Sequence, residues 1–212
     1  MKFKLLFSYR FLLFILSVLG VYLQLTKHGG FGMMLYYTIL SNMLVMFFMG
    51  DMVWRMVRGR STQTKGYLRM KGAVTMSIMI TCVIYHFMLA PLATPEKFYR
   101  LENFLCHYIV PLMFFFDTLV IDKAKQYRKL DPFLWTSIPL AYMLFALLNG
   151  LVLKWPIPGA KDSPFAYFFI NVNKYGWAFV GKWVVIIFIA YLLAGYVLYG
   201  IKNIKRKSAV SE

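Results

Sequence analysis

Charge is what this sequence is short of. Only 15% of its 212 residues are Asp, Glu, Lys or Arg, while 60% are hydrophobic. That balance excludes a soluble domain of this size and indicates one polytopic membrane domain over residues 1–212. Acids are scarcest, eight against 24 Lys and Arg. Such an excess would suggest nucleic acid if the bases shared one solvated face; here they fall in short clusters between apolar runs, so no nucleic-acid partner is expected. Cysteine is nearly absent. Cys82 and Cys106 each lie inside an apolar run without metal-ligand spacing, which argues against a disulfide framework and a zinc site and leaves both as packing residues. There is no internal repeat and no pair of matching broken spans, which weighs against a transporter of inverted-repeat design.

What remains is apolar. Six runs can be marked, at about 8–25, 33–54, 70–90, 102–122, 133–153 and 177–201, each long enough to cross ~30 Å of hydrocarbon at ~1.5 Å per residue. The expected fold is all-α, a bundle of six transmembrane helices. The first run follows Lys2 and Lys4 as a secretory signal would. No small-x-small cleavage site comes after it, and Gln24, Thr26 and Lys27 read as a plain helix exit, so the helix is expected to be retained.

The basic residues set the orientation. If the first helix starts inside, one face collects Lys2, Lys4 and Arg10, the run from Arg55 to Lys71, the run from Lys123 to Lys129, and Lys202, Lys205, Arg206 and Lys207. The other face keeps only scattered bases such as Lys27, Lys97, Lys154 and Lys182. Both termini are therefore expected to be cytoplasmic, in a multi-pass cell-membrane protein. A Lys-rich, Cys-poor composition fits a bacterial plasma membrane.

Loops are short except between Lys154 and Gly176. There a Trp155-Pro156-Ile157-Pro158-Gly159 turn precedes the aromatic stretch from Phe165 to Asn171, too short to span. The 155–176 segment is expected to lie in the outer interface, as a lid over a pocket or simply as an aromatic belt.

Polar side chains in hydrocarbon are costly unless paired or lining a cavity. Counting from the expected helix ends, Thr38, His86 and His107 all fall ~8 Å inside the outer face. Asn42 follows Thr38 by one turn, and Asn149 and Lys182 reach the same level from the fifth and sixth helices. A hydroxyl needs a base to become a nucleophile, and histidine supplies one near neutral pH. Thr38 with His107, or with His86, would make a hydrolase centre, with Asn42, Asn149 or Lys182 orienting the imidazole or stabilising an oxyanion. Thr118, eleven residues past His107, shares its face and would line the same cavity lower down. The natural substrate at this depth is an amphiphile with an acyl bond near the headgroups, so membrane lipid or a lipid ester is the expected partner.

Blander readings compete. A lone Thr in a membrane helix often bonds its own i−4 carbonyl, and a buried His often makes an interhelical hydrogen bond. A metal lacks a carboxylate or third His at this level, since Glu102 stands at the mouth and His28 in the loop; no metal and no cofactor is expected. A small transporter or lipid-binding protein would use the same polar layer for a headgroup or a proton. Of the other acids, Asp117 is expected to pair with an inner-face cation such as Arg10, and Asp51 with Arg55 at i,i+4.

Three short motifs occur in order: Tyr36-Tyr37-Thr38-Ile39-Leu40-Ser41-Asn42, then Asn103-Phe104-Leu105-Cys106-His107-Tyr108-Ile109-Val110-Pro111 with Asp117 beyond, then Trp155-Pro156-Ile157-Pro158. In these the chain resembles the bacterial six-pass relatives of the androgen-induced and androgen-dependent TFPI-regulating proteins. Eukaryotic members of that family are threonine hydrolases that cleave fatty acid esters of hydroxy fatty acids, using one Thr in the second helical region and one His further along. The resemblance implies those roles for Thr38 and His107.

Overall fold

Glycines with positive φ interrupt what would otherwise be continuous helix. Gly29 and Gly30, at φ 133° and 61°, adopt backbone that L side chains rarely reach and turn the chain after its first span. The computed structural model describes residues 3–204; Lys2, Lys205, Arg206 and Lys207 of the expected cytoplasmic clusters lie outside them. Among the described residues there is no strand. Six helices are long and apolar enough to cross a membrane: α1 (Phe3–His28), α2 (Tyr37–Val57), α3 (Lys65–Leu92), α4 (Leu101–Ile121), α5 (Asp131–Leu153) and α6 (Val172–Asn203). The chain is an all-α six-helix bundle with the architecture of a multi-pass membrane protein.

Helix α3 is the hub. It contacts α2, α4, α5 and α6, while α1 packs on α2 and α4. The core of the α1–α4 group holds Leu13, Val45, Met49, Met52, Ile78 and Phe114, all buried. In the most apolar window of each helix, α2 and α4 bury half their residues but α6 only 17%. Thus α5 and α6 lean on α3 and turn most of their apolar surface outward, as a lipid-facing pair can. Because they lean rather than interdigitate fully, a cavity remains between α2, α3, α5 and α6.

The two ends of the bundle are polar in different ways. Thr38 and His107 lie near the starts of α2 and α4, at one end. At the opposite end Arg10, Lys71 and Asp117 are completely buried, and Asp122 nearly so. Arg10 Nε donates to Asp117 Oδ2 at 2.9 Å, as expected from the sequence, and Arg10 Nη1 donates to the Thr62 hydroxyl at 3.1 Å. Lys71 pairs with Asp117 and, at 2.7 Å, with Asp122. Lys202 donates to the carbonyls of Thr118 and Asp122 at 2.8 and 2.7 Å. Reading the basic clusters only as markers of topology therefore fails for Lys71 and Lys202, whose side chains, with Arg10, stitch α1, α3, α4 and α6 together. The expected Asp51–Arg55 ion pair is present at 2.6 Å on a more exposed face.

Candidate active site

The run Gly30–Leu35 winds as a tight 3₁₀ turn, and α2 begins at Tyr37. Thr38 is thus in the first turn of its helix, not one and a half turns inside as counting from residue 33 implied. First-turn amides have no intrahelical acceptor, so the N–H groups of Tyr37 and Thr38 are available to neighbours.

His107 reaches this position from α4. Its Nε2 lies 3.4 Å from the Thr38 hydroxyl oxygen, and its Nδ1 lies 3.0 Å from the backbone carbonyl of Asn103. A carbonyl only accepts, so Nδ1 carries the proton and Nε2 is left as the acceptor facing Thr38. The ring is buried and stacked on Tyr85, centroids 3.7 Å apart and planes 22° apart. Asn103 locks that support in place: its side-chain amide donates to the Tyr85 hydroxyl at 2.6 Å and to the Phe98 carbonyl at 2.9 Å. Both Tyr85 and His107 lie in π-turns, Tyr85–Leu89 and Leu105–Ile109, local widenings that recur where helices carry functional side chains.

Asn42 joins the two helices at the same level. Its amide donates to the carbonyls of Thr38 and Cys106 at 2.8 and 3.0 Å. It grips the backbone that carries each reacting residue and does not touch the imidazole. The carbonyl of Cys106 is used here, while its thiol and that of Cys82 are buried and free.

The 155–171 segment closes the site. Tyr167, Phe169 and Ile170 line the cavity beside Thr38 and Tyr142. The Tyr167 phenol lies beside the Thr38 side chain, the first-turn backbone of Tyr37 and Thr38, and the Tyr142 side chain. Burial pushes the Tyr167 phenol up, which keeps it protonated and a donor. The segment is pinned rather than loose. Asn149 accepts from the Trp155 N–H and donates to the carbonyls of Trp155 and Pro164, and Tyr36 donates to the Pro158 carbonyl at 2.8 Å. Phe165 sits on Gly150, where an added Cβ would collide with its ring; any larger residue would displace the segment.

Thus Thr38, His107 and Asn42 come together, and the wider layer expected from helix depth does not form. His86 is exposed and pairs with Tyr108 at 3.3 Å. Asn149 organises the closing segment. Lys182 is on the exposed surface of α6. Thr118 is at the other end of the bundle, bonded to Thr75 at 2.8 Å; eleven residues carry it too far along the helix axis, ~16 Å, to share a cavity with His107. Depth alone gave a level but no direction around each helix. The sequence offers Tyr85 only as an interface aromatic near these positions, where it stacks on His107; it assigns no role to Tyr167 or Asn103, although Asn103 opens the second motif and Tyr167 lies in the aromatic stretch. Among the described residues no three His, Cys, Asp or Glu side chains are grouped to hold a metal ion.

Comparison with protein-family models, curated proteins and solved structures finds no match to this chain.

Proposed function

We propose that this protein is an intramembrane hydrolase of lipid esters, with Thr38 as nucleophile and His107 as general base. The observation that carries this reading is the Thr38–His107 contact at 3.4 Å, with the imidazole tautomer set by the Asn103 carbonyl, where Thr38 also lines an apolar cavity. A separation of 3.4 Å is long for an O–H···N hydrogen bond, as catalytic contacts without substrate often are. The same two residues are those to which the family resemblance assigns the reaction.

The chemistry follows from the contacts. His107 Nε2 takes the Thr38 proton as Oγ1 attacks the acyl carbon. The oxyanion develops beside the first-turn N–H groups of Tyr37 and Thr38 and the neighbouring Tyr167 phenol, so these donors and the positive end of the α2 dipole stabilise it. Collapse leaves the acyl group on Thr38 and expels the alkoxide, which takes the proton from His107. Water then attacks by the same route in reverse, releasing the acid and restoring Thr38. With the bases distributed as in the sequence, Thr38 faces the outside of a cell membrane, and the substrate is an amphiphilic acyl ester such as a fatty acid ester of a hydroxy fatty acid.

A transporter or headgroup-binding protein would draw support from a ring of polar groups around one cavity. His86, Asn149, Lys182 and Thr118 instead face four different surroundings, which favours the hydrolase reading. The test is labelling of the detergent-purified protein by a fluorophosphonate probe, in wild type, Thr38→Ala and His107→Ala at matched thermal stability. Labelling of wild type alone is expected; a well-folded wild type that does not label would end this proposal.

A further inference from the structure

The cavity beside Thr38 has one chemical character along its length. It measures about 110 Å³ and is walled by α2, α3, α5, α6 and the closing segment. Most of its wall is Ile, Leu, Val, Met and Phe. Apart from Thr38, Tyr167 and Tyr85, which accepts from Asn103 beside His107, the hydroxyls on it are bonded within the protein. Tyr37 pairs with Ser77 at 2.7 Å, Thr81 with Ser41 at 2.8 Å, and Tyr142 with the Leu35 carbonyl at 2.8 Å. At the far end Thr136 donates to the Phe133 carbonyl at 2.7 Å and Tyr191 to the Trp135 carbonyl at 3.1 Å. No carboxylate, amine or imidazole faces the cavity along its wall. A ligand with a polar group part-way along would leave that group unpaired, which costs about 1–3 kcal/mol or more in a protein interior.

Thr38 and Thr136 both line this slot. Thr38 opens α2 and Thr136 is near the start of α5, helices that enter from opposite faces, so the two mark its opposite ends, with Tyr167 beside Thr38 and Tyr191 bonded next to Thr136. On the walls, Thr136 to Met143 and Val184 to Tyr191 each advance seven residues, ~10 Å along a helix. An extended chain advances ~1.2 Å per bond, so this lower part alone takes about eight carbons.

Resting on the hydrolase reading, we infer that the slot binds the acyl chain of the ester as a single unbranched hydrocarbon, and that Tyr191 and Thr136 form a floor that limits its length. The scissile carbonyl stops at Thr38 and Tyr167, and the alcohol half of the ester stays outside the slot. Specificity for chain length is therefore set by α5 and α6, on the far side of the bundle from His107.

The test uses the whole chain in detergent with p-nitrophenyl esters from butyrate to palmitate. Leu140→Trp and Ile187→Trp obstruct the slot from opposite walls; each is expected to lower the ratio of laurate to butyrate turnover by about tenfold or more, the scale on which hydrophobic pockets discriminate. Tyr191→Ala opens the floor and is expected to move the optimum to longer chains, a gain that misfolding cannot imitate. On the unmodified chain, a fluorophosphonate bearing an alkyl tail with a terminal diazirine is expected to attach at Thr38 and crosslink to α5 or α6. A profile unchanged in all three folded variants, or crosslinks confined to detergent, overturns the ruler while leaving the Thr38 hydrolase intact. Absence of both turnover and Thr38 attachment overturns the hydrolase reading, and this inference with it.

Discussion

The two polar ends of this bundle solve the same problem in opposite ways. At the Asp117 end Arg10, Lys71, Asp117, Asp122 and Lys202 are all buried; the first four pair charge against charge, and Thr62 and backbone carbonyls take up further donors of Arg10 and Lys202. At the Thr38 end the buried acid Glu102 pairs with Lys27 and His28 five residues before His107; around Thr38 itself the groups are neutral, the central contact is long at 3.4 Å, and Thr38 lines a cavity. Sealing charge is costly, and mutual ion pairing offsets that cost while holding each charged group against a partner. An imidazole with one nitrogen fixed and the other facing a hydroxyl keeps capacity in reserve. The first arrangement clamps helices; the second is suited to chemistry. Substitutions at the two ends should therefore separate activity from stability.

The largest effect expected is on turnover. Thr38→Ala should leave no ester hydrolysis above background, and His107→Ala should lower kcat by ~10²–10⁴, the usual worth of a general base, with thermal unfolding in detergent close to wild type for Thr38→Ala. Tyr167→Phe removes one oxyanion donor and keeps the ring contacts with Tyr36 and Phe169. A loss of ~10² in kcat is expected, with little change in KM. A rise in KM at constant kcat would make Tyr167 part of the cavity wall and nothing more.

The opposite end should answer in stability. Arg10→Met leaves the buried Asp117 with Lys71 as its remaining cation and should cost about 3–5 kcal/mol, as breaking a buried ion pair does. Adding Asp117→Leu should restore part of that, because an apolar pair no longer strands a charge. If Arg10→Met instead removed turnover at unchanged stability, the two ends would be one functional unit and the comparison would break.

Much of this was legible in the residues. Six long apolar runs can only bury themselves as helices, and the Arg10–Asp117 pair followed from two opposite charges placed at the same end of adjacent spans. Thr38 with His107 was visible because both belong near the start of their helices. What sequence could not supply was rotation about each helix axis. Four π-turns, at Tyr85–Leu89, Leu105–Ile109, Asp117–Ile121 and Asn149–Leu153, each shift the register of the side chains that follow, and a regular 3.6-residue count cannot see them. Lys71 was hidden for another reason. It belongs to a loop cluster by position, and only the acids on α4 show that it turns inward.

Thr118 sharpens the comparison with the smallest effect. Read by periodicity it shares a face with His107, yet its hydroxyl pairs with Thr75, whose own hydroxyl already donates to the Lys71 carbonyl at 2.8 Å. Thr118→Val keeps the shape and removes one hydrogen bond, leaving the Thr75 donor satisfied. The expected loss is about 1 kcal/mol, read as a small fall in the unfolding midpoint, with kcat and chain-length profile as in wild type. Lost turnover at an unchanged midpoint would mean that the Asp117 end communicates with Thr38 through α3 and α4, and that the clamp sets the geometry of the dyad as well as the stability of the bundle.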